Sequence, residues 1–172
     1  YTPKFEKKLI FSGDPSRFPH IVDWKHSTPL HVYATRAEGV DYSKVHLEGW
    51  RTQQELLLEL SKGGGFGLVW GNSENPAEER DYYKENVSYK LTTYLAAGIP
   101  VVVPDYLSNV DYIREKGLGF VVSSLEEASR VVQECTEEEY DQMVTRAKYT
   151  AYLIKNGYFT KKLFIDSMML LD

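Results

Sequence analysis

The stretch Asn86-Val-Ser-Tyr-Lys90-Leu-Thr-Thr-Tyr-Leu-Ala-Ala-Gly98-Ile-Pro100-Val-Val-Val-Pro104 decides how this chain folds. Asn86 and Ser88 are helix-capping types, and Leu91, Tyr94, Leu95 and Ala96 recur at helical spacing. Gly98 stops the helix, and Pro100 turns the chain into a valine-rich buried strand. Lys90 falls in the first helical turn, where the helix dipole disfavours a cation unless an anion is shared between them. That placement predicts a phosphate-type site. Taken in isolation, the same residues also read as a solvated lysine beside an ordinary helix-to-strand joint.

Working outward, the same alternation repeats. Leu9-Ile10-Phe11, Leu30 to Ala34, Val45 to Glu48, Phe66 to Trp70 and Gly119 to Val122 read as short apolar strands in addition to Val101-Val102-Val103. Between them lie a short helix from Ser16 to Trp24 broken at Pro19, a helix from Gln53 to Lys62 with Leu56, Leu57 and Leu60 on one face, and helices over Ser108 to Lys116 and Leu125 to Cys135. Thr136 and Glu139 form the capping-box pattern before a further long helix, and Thr160 to Asp172 reads as the last. Tyr1 to Lys8 reads as a connector, Gly63-Gly64-Gly65 as a break, and Gly71 to Glu85 as a long polar loop, of the kind that carries function or disorder. Six strands alternating with helices predict an α/β fold: a doubly wound, six-stranded, mostly parallel sheet with extra C-terminal helices. In such a sheet the first and fourth strands meet at the topological switch point, and ligands bind beyond the strands' carboxyl ends there. The two loops falling at that point are Ser12 to Arg17 and Gly71 to Lys90.

Bulk properties narrow the chemistry. The chain has 172 residues, 42% of them apolar, enough for one domain with its own core. Its net charge of -5 and lack of a long basic run speak against nucleic acid or an anionic bilayer as a partner, and no stretch is apolar enough to span a membrane. An anion must therefore be held by a local site. One cysteine, Cys135, forms no internal disulfide, which fits a cytosolic protein, and it reads as a packed small residue rather than a nucleophile. Tyr1 in place of an initiator methionine points to a fragment of a longer protein.

Ser12-Gly13-Asp14-Pro15-Ser16-Arg17 lacks the G-x-G-x-x-G spacing of dinucleotide sites, and no G-x-x-x-x-G-K-[ST] loop occurs. The loop does offer a glycine that lets a ligand approach the backbone, two small hydroxyls, and the Arg17 guanidinium, which with Lys90 would neutralise a diphosphate without metal. His20, His26, His31 and His46 are scattered and have no nucleophile or carboxylate at motif spacing, so each reads as structural, His20 being nearest the Arg17 loop. A metal site and a bound cofactor are not expected. A flavodoxin-like or receiver-type module would need an acidic cluster after the first strand, where Asp14 stands alone.

The segment from Asn86 to Val103, followed by Asn109-Val-Asp-Tyr-Ile-Arg-Glu-Lys-Gly117-Leu-Gly-Phe120 and by Asn156-Gly-Tyr-Phe-Thr-Lys-Lys-Leu163, resembles the nucleotide-sugar half of GT-B glycosyltransferases. The nearer resemblance is to bacterial glucosyltransferases that extend sugars on serine-rich adhesins and to galactofuranosyltransferase-like proteins. It covers nearly the whole chain, as the C-terminal donor domain of a two-domain cytoplasmic enzyme, peripheral to the membrane at most. It implies a UDP-sugar donor and a glycan or glycoprotein acceptor held by an absent N-terminal domain. Carried across, Gly13 and Arg17 match the loop that meets the donor phosphates, and Asn86, Ser88, Tyr89 and Lys90 the loop and helix start that hold the diphosphate. Trp50 lies in the Gly49-Trp50-Arg51-Thr52 turn, which falls where such enzymes face the uracil. Thr93 stands where many relatives carry a ribose-binding glutamate. The resemblance implies no catalytic residue within this half. A non-catalytic partner subunit would keep the fold and lose Arg17 and Lys90. The apolar Phe164, Ile165, Met168, Met169 and Leu171 of the last helix are expected to meet the other domain or a second subunit in a homo-oligomer.

Overall fold

The computed structural model describes residues 1–71, 80–83 and 86–170. Six parallel strands, β1 (Lys4–Ser12), β2 (Leu30–Tyr33), β3 (His46–Leu47), β4 (Gly64–Leu68), β5 (Val101–Pro104) and β6 (Gly119–Val122), form one sheet in the order β3-β2-β1-β4-β5-β6. The chain winds outward from β1 to β3, returns to the centre, and winds the other way from β4 to β6. β1 and β4 are therefore neighbours at the switch point, as the alternation predicts.

Side-chain alternation along the strands feeds two cores, one on each face. Leu9, Phe11, Phe66, Leu68 and Val102 face one side, where α1 (Pro19–Val22), α5 (Leu125–Glu134) and the first turns of α6 (Glu137–Lys155) cover them. Ile10, Val69, Val101 and Val103 face the other side, under α2 (Gln53–Lys62), α3 (Tyr89–Ala97) and α4 (Val110–Lys116). The terminal helix α7 (Tyr158–Met169) follows α6 after Gly157, which sits in the left-handed region at φ 67°. The expected capping box of Thr136 with Glu139 is formed, and Thr52 with Glu55 makes a second one. Pro19 ends a 3-10 turn at Pro15–Arg17 and opens α1 at its first position, where its missing N–H costs nothing.

Several boundaries differ from the sequence reading. The connector expected from Tyr1 to Lys8 is mostly strand. β1 begins at Lys4, whose N–H bonds the Gly63 carbonyl at 2.7 Å, and Phe5 packs 5.4 Å from the Tyr140 ring. The glycine break is the start of β4. A Cβ on Gly64 would lie 1.9 Å from the Lys4 carbonyl oxygen, so the run permits the close approach of β1 rather than ending a strand. Most of the expected long loop, residues 72–79 and 84–85, lies outside the described residues. Residues 80–83, however, are helical, held down by buried Tyr83 beside Tyr106 and by the pair of Arg80 with Asp105 at 3.6 Å. β3 shrinks to two residues, and α7 starts earlier than Thr160. Leu171 and Asp172 lie outside the described residues.

Candidate functional site

Above the carboxyl ends of β1 and β2, and beside the turn that follows β3, lies a hollow of about 590 Å³. Its floor and one wall are Ser12, Gly13, Asp14, Pro15 and Ser16, the loop leaving β1. The opposite wall is Tyr33 to Ala37 from the end of β2, and Trp50, Arg51 and Leu56 close the side. It lies beyond the carboxyl ends of the strands, the side on which a doubly wound sheet takes its ligands, but over β1 and β2 rather than between β1 and β4.

The β1 loop is fixed by its own side chains. Asp14 caps the 3-10 turn, accepting from the Ser16 N–H at 3.0 Å and the Ser16 hydroxyl at 2.8 Å, and these bonds hold its carboxyl below the usual range. Arg51 is held from two sides: its Nε donates to Glu59 Oε1 at 2.9 Å and its Nη1 to the Trp50 carbonyl at 3.1 Å. Its guanidinium lies 6.0 Å from the Tyr33 ring, and burial together with the nearby Glu59 and Glu48 pushes the Tyr33 hydroxyl up to about 12. Trp50 is 64% exposed, an aromatic surface offered at the rim rather than packed away. Arg36 stands on the β2 side over the Tyr42 ring at 5.2 Å.

Of the residues expected from sequence, Gly13 and Trp50 line this hollow. Lys90 reaches toward the same loop. Its ammonium lies 5.0 Å from the Phe11 ring and 4.4 Å from the Phe18 ring, and its Cε would lie 3.3 Å from a Cβ built on Gly13. Gly13 and Lys90 are thus brought together from opposite sides of the switch point. Arg17 is exposed on the 3-10 turn near Asp14, and neither it nor Lys90 is among the hollow's described lining residues. Ser88 is buried at the N-cap of α3 and its side chain makes no cap bond, while Tyr89 is exposed. Asn86 turns back, its amide donating to the Tyr82 carbonyl at 2.9 Å. Thr93 is buried, and its hydroxyl donates to the Tyr89 carbonyl at 3.0 Å inside the helix.

Arg36 is the cation that sequence reasoning missed. The signal was present in Ala34-Thr35-Arg36, the first polar residues past the second strand, but a cation there gains meaning only once β2 is known to lie beside β1. Cys135 is buried, and burial pushes its thiol up to about 11, so it is a packed side chain. Among the described residues no helix is long and apolar enough to cross a membrane.

Residues 9–167 match the family described as the glucosyltransferase 3-like, C-terminal domain. The chain is 54% identical over 169 residues to glucosyltransferase 3 of Streptococcus gordonii, covering 98% of this chain and 50% of that protein. It is 26% identical over 157 residues to the beta-1,6-galactofuranosyltransferase WbbI of Escherichia coli (strain K12), covering 90% of this chain and 47% of that one. The crystal structure of WaaG, a glycosyltransferase involved in lipopolysaccharide biosynthesis, superposes with a TM-score of 0.49 at 16% identity, over 86% of this chain and 42% of that one. The chain thus spans about half the length of the curated relatives it matches. Its sequence places it, over nearly its whole length, in the glucosyltransferase 3-like C-terminal domain family.

Proposed function

We propose that this domain binds the UDP-sugar donor of a metal-independent glycosyltransferase of GT-B architecture that transfers a hexose to a glycan or glycoprotein. The observation that carries the reading is the hollow over β1 and β2, lined by Gly13, Arg36, Arg51 and the exposed Trp50. In sugar transfer the nucleoside diphosphate leaves with growing negative charge, and fixed cations and backbone amides stabilise that charge directly. Lys90, beside Gly13, and the α3 amides after Ser88 supply a second source of such stabilisation from the other side of the switch. Trp50 offers a stacking face for the base. The acceptor and any catalytic base belong to a further, N-terminal half, so the chain alone binds donor without transferring it.

Titration calorimetry with UDP tests this. Binding that persists in EDTA and is weakened by Lys90→Ala more for UDP than for uridine is expected. Folded protein that gives neither heat nor a spectral shift with UDP at about millimolar concentration, the weak end of ligand affinities, overturns it.

A further inference from the structure

At the switch point β1 loses one of its two neighbours before it ends. Along β1 the odd residues turn their N–H groups toward β2, Leu9 bonding the Pro29 carbonyl at 2.9 Å and Gly13 the Tyr33 carbonyl at 3.4 Å. The N–H of Ser12 therefore faces the β4 side. There the register stops at Ile10 opposite Gly67. Ser12 lies past the last position paired with β4, and a buried or half-buried N–H without an acceptor is costly.

The acceptor is the phenol of Tyr94. Its oxygen takes the Ser12 N–H at 2.9 Å, and the Tyr94 side chain is fully buried. It reaches that point because Gly67 has no side chain: a Cβ there would sit 2.3 Å from Tyr94 Cγ. Tyr94 belongs to α3, the helix whose first turn carries Lys90, and Ser12 is the residue before Gly13. One hydrogen bond thus ties the helix bearing the ammonium to the strand end that opens the floor of the hollow.

Resting on the donor reading above, we infer that Tyr94 is a positioning residue for the diphosphate, its hydroxyl setting the distance between the Gly13 loop and the start of α3. It touches no ligand and acts through Ser12. Substituting phenylalanine keeps the ring over Gly67 and frees the Ser12 N–H, so the loop loses its fixed place relative to Lys90.

The test compares Tyr94→Phe with Tyr140→Phe. Tyr140 is an equally buried phenol, bonded to the Gly65 carbonyl at 3.1 Å near the opposite end of β4, so it controls for the loss of a buried hydroxyl bond. UDP affinity should fall about fivefold in Tyr94→Phe, the scale of one lost hydrogen bond, with uridine affinity unchanged, whereas Tyr140→Phe should move neither. Amide exchange gives an independent readout: Ser12 should be protected in the wild type to the level of the strand residues before it, and should exchange much faster in Tyr94→Phe. Equal UDP affinity in wild type and Tyr94→Phe overturns the inference, as does a Ser12 amide that exchanges freely in the wild type. If Tyr94→Phe does not fold, Ser12 protection in the wild type decides the matter. If the wild type binds no UDP the donor reading fails, and the Ser12–Tyr94 link is then judged by exchange alone.

Discussion

The ring of Tyr94 lies directly on Gly67: a methyl group added to that glycine would come 2.3 Å from Tyr94 Cγ and 2.8 Å from its Cβ. The helix α3 is seated on the sheet through this contact, and both partners are completely enclosed, so neither can yield sideways.

Gly67→Ala is accordingly expected to destabilise the domain. Inserting a methyl group into a closed core costs about 1–3 kcal/mol and sometimes more, and here the obstacle is a ring anchored at both ends. A fall of roughly 6–12 °C in the thermal midpoint follows for about 3 kcal/mol in a domain of this size. A midpoint within a degree of wild type by calorimetry would mean that α3 can lift from β4.

The segment entering β2 is locked to α5 by a buried polar cluster. Thr28 donates its N–H to Ser129 Oγ at 3.1 Å and its hydroxyl to the Ser129 carbonyl at 2.8 Å, and Trp24 Nε1 donates to the Thr28 carbonyl at 2.8 Å. Ser129→Ala strands the Thr28 N–H in the core and should cost about 2 kcal/mol, within the range for an unsatisfied buried donor. Thr28→Val leaves that N–H bonded but removes the acceptor of the Ser129 hydroxyl and the Gln133 amide and the donor to the Ser129 carbonyl, so it should cost at least as much. Urea denaturation midpoints in the reverse order would contradict this assignment.

His31 makes the domain sensitive to mild acid. Its Nδ1 lies 2.6 Å from Glu48 Oε1 and its ring stacks on His46 with centroids 4.7 Å apart, Lys8 of β1 facing it as well. Burial lowers its affinity for a proton below the ordinary value of 6.5, and Lys8 and His46 act in the same direction, against the opposing effect of Glu48. The unfolded chain then binds the proton more readily than the folded one, so stability is complete above about pH 6.5 and is lost as the pH falls below it. His26, also lowered by burial, adds to the same trend. Thermal midpoints measured between about pH 7.5 and 5.5 should decline, with a shallower decline in His31→Gln. An identical slope in that variant would remove His31 from the account.

No described side chain of α7 is buried: Leu163 is 67% exposed, Phe164 66% and Met168 61%. An apolar face of this extent on an otherwise well-covered domain calls for a partner surface. The chain by itself is expected to self-associate through α7, and Phe164→Glu combined with Met168→Glu should return it to a monomer by light scattering. A wild-type chain that is monomeric at high concentration would show that the face is left open.

The sequence by itself determined the elements and the winding. Periodicity in Leu56, Leu57 and Leu60, the Gly98-Ile99-Pro100 turn and the capping boxes are local signals, and six apolar runs alternating with helices leave few ways to build a sheet other than the one observed. Family membership was also legible, because it rests on the residues themselves. Tertiary structure alone decided which side chains share a space. It set Arg36 and Arg51 around one hollow with Gly13, left Arg17 outside that lining, and turned Thr93 inward to its own helix. It also made Gly64, expected as part of a break, and Gly67, inside a strand, points of close approach. The reason is physical: local spacing fixes the conformation of a segment, but the end of a strand pairing, such as β1 with β4 after Ile10, depends on how two distant segments diverge. At that divergence the Ser12 N–H finds the Tyr94 hydroxyl, 82 residues away along the chain.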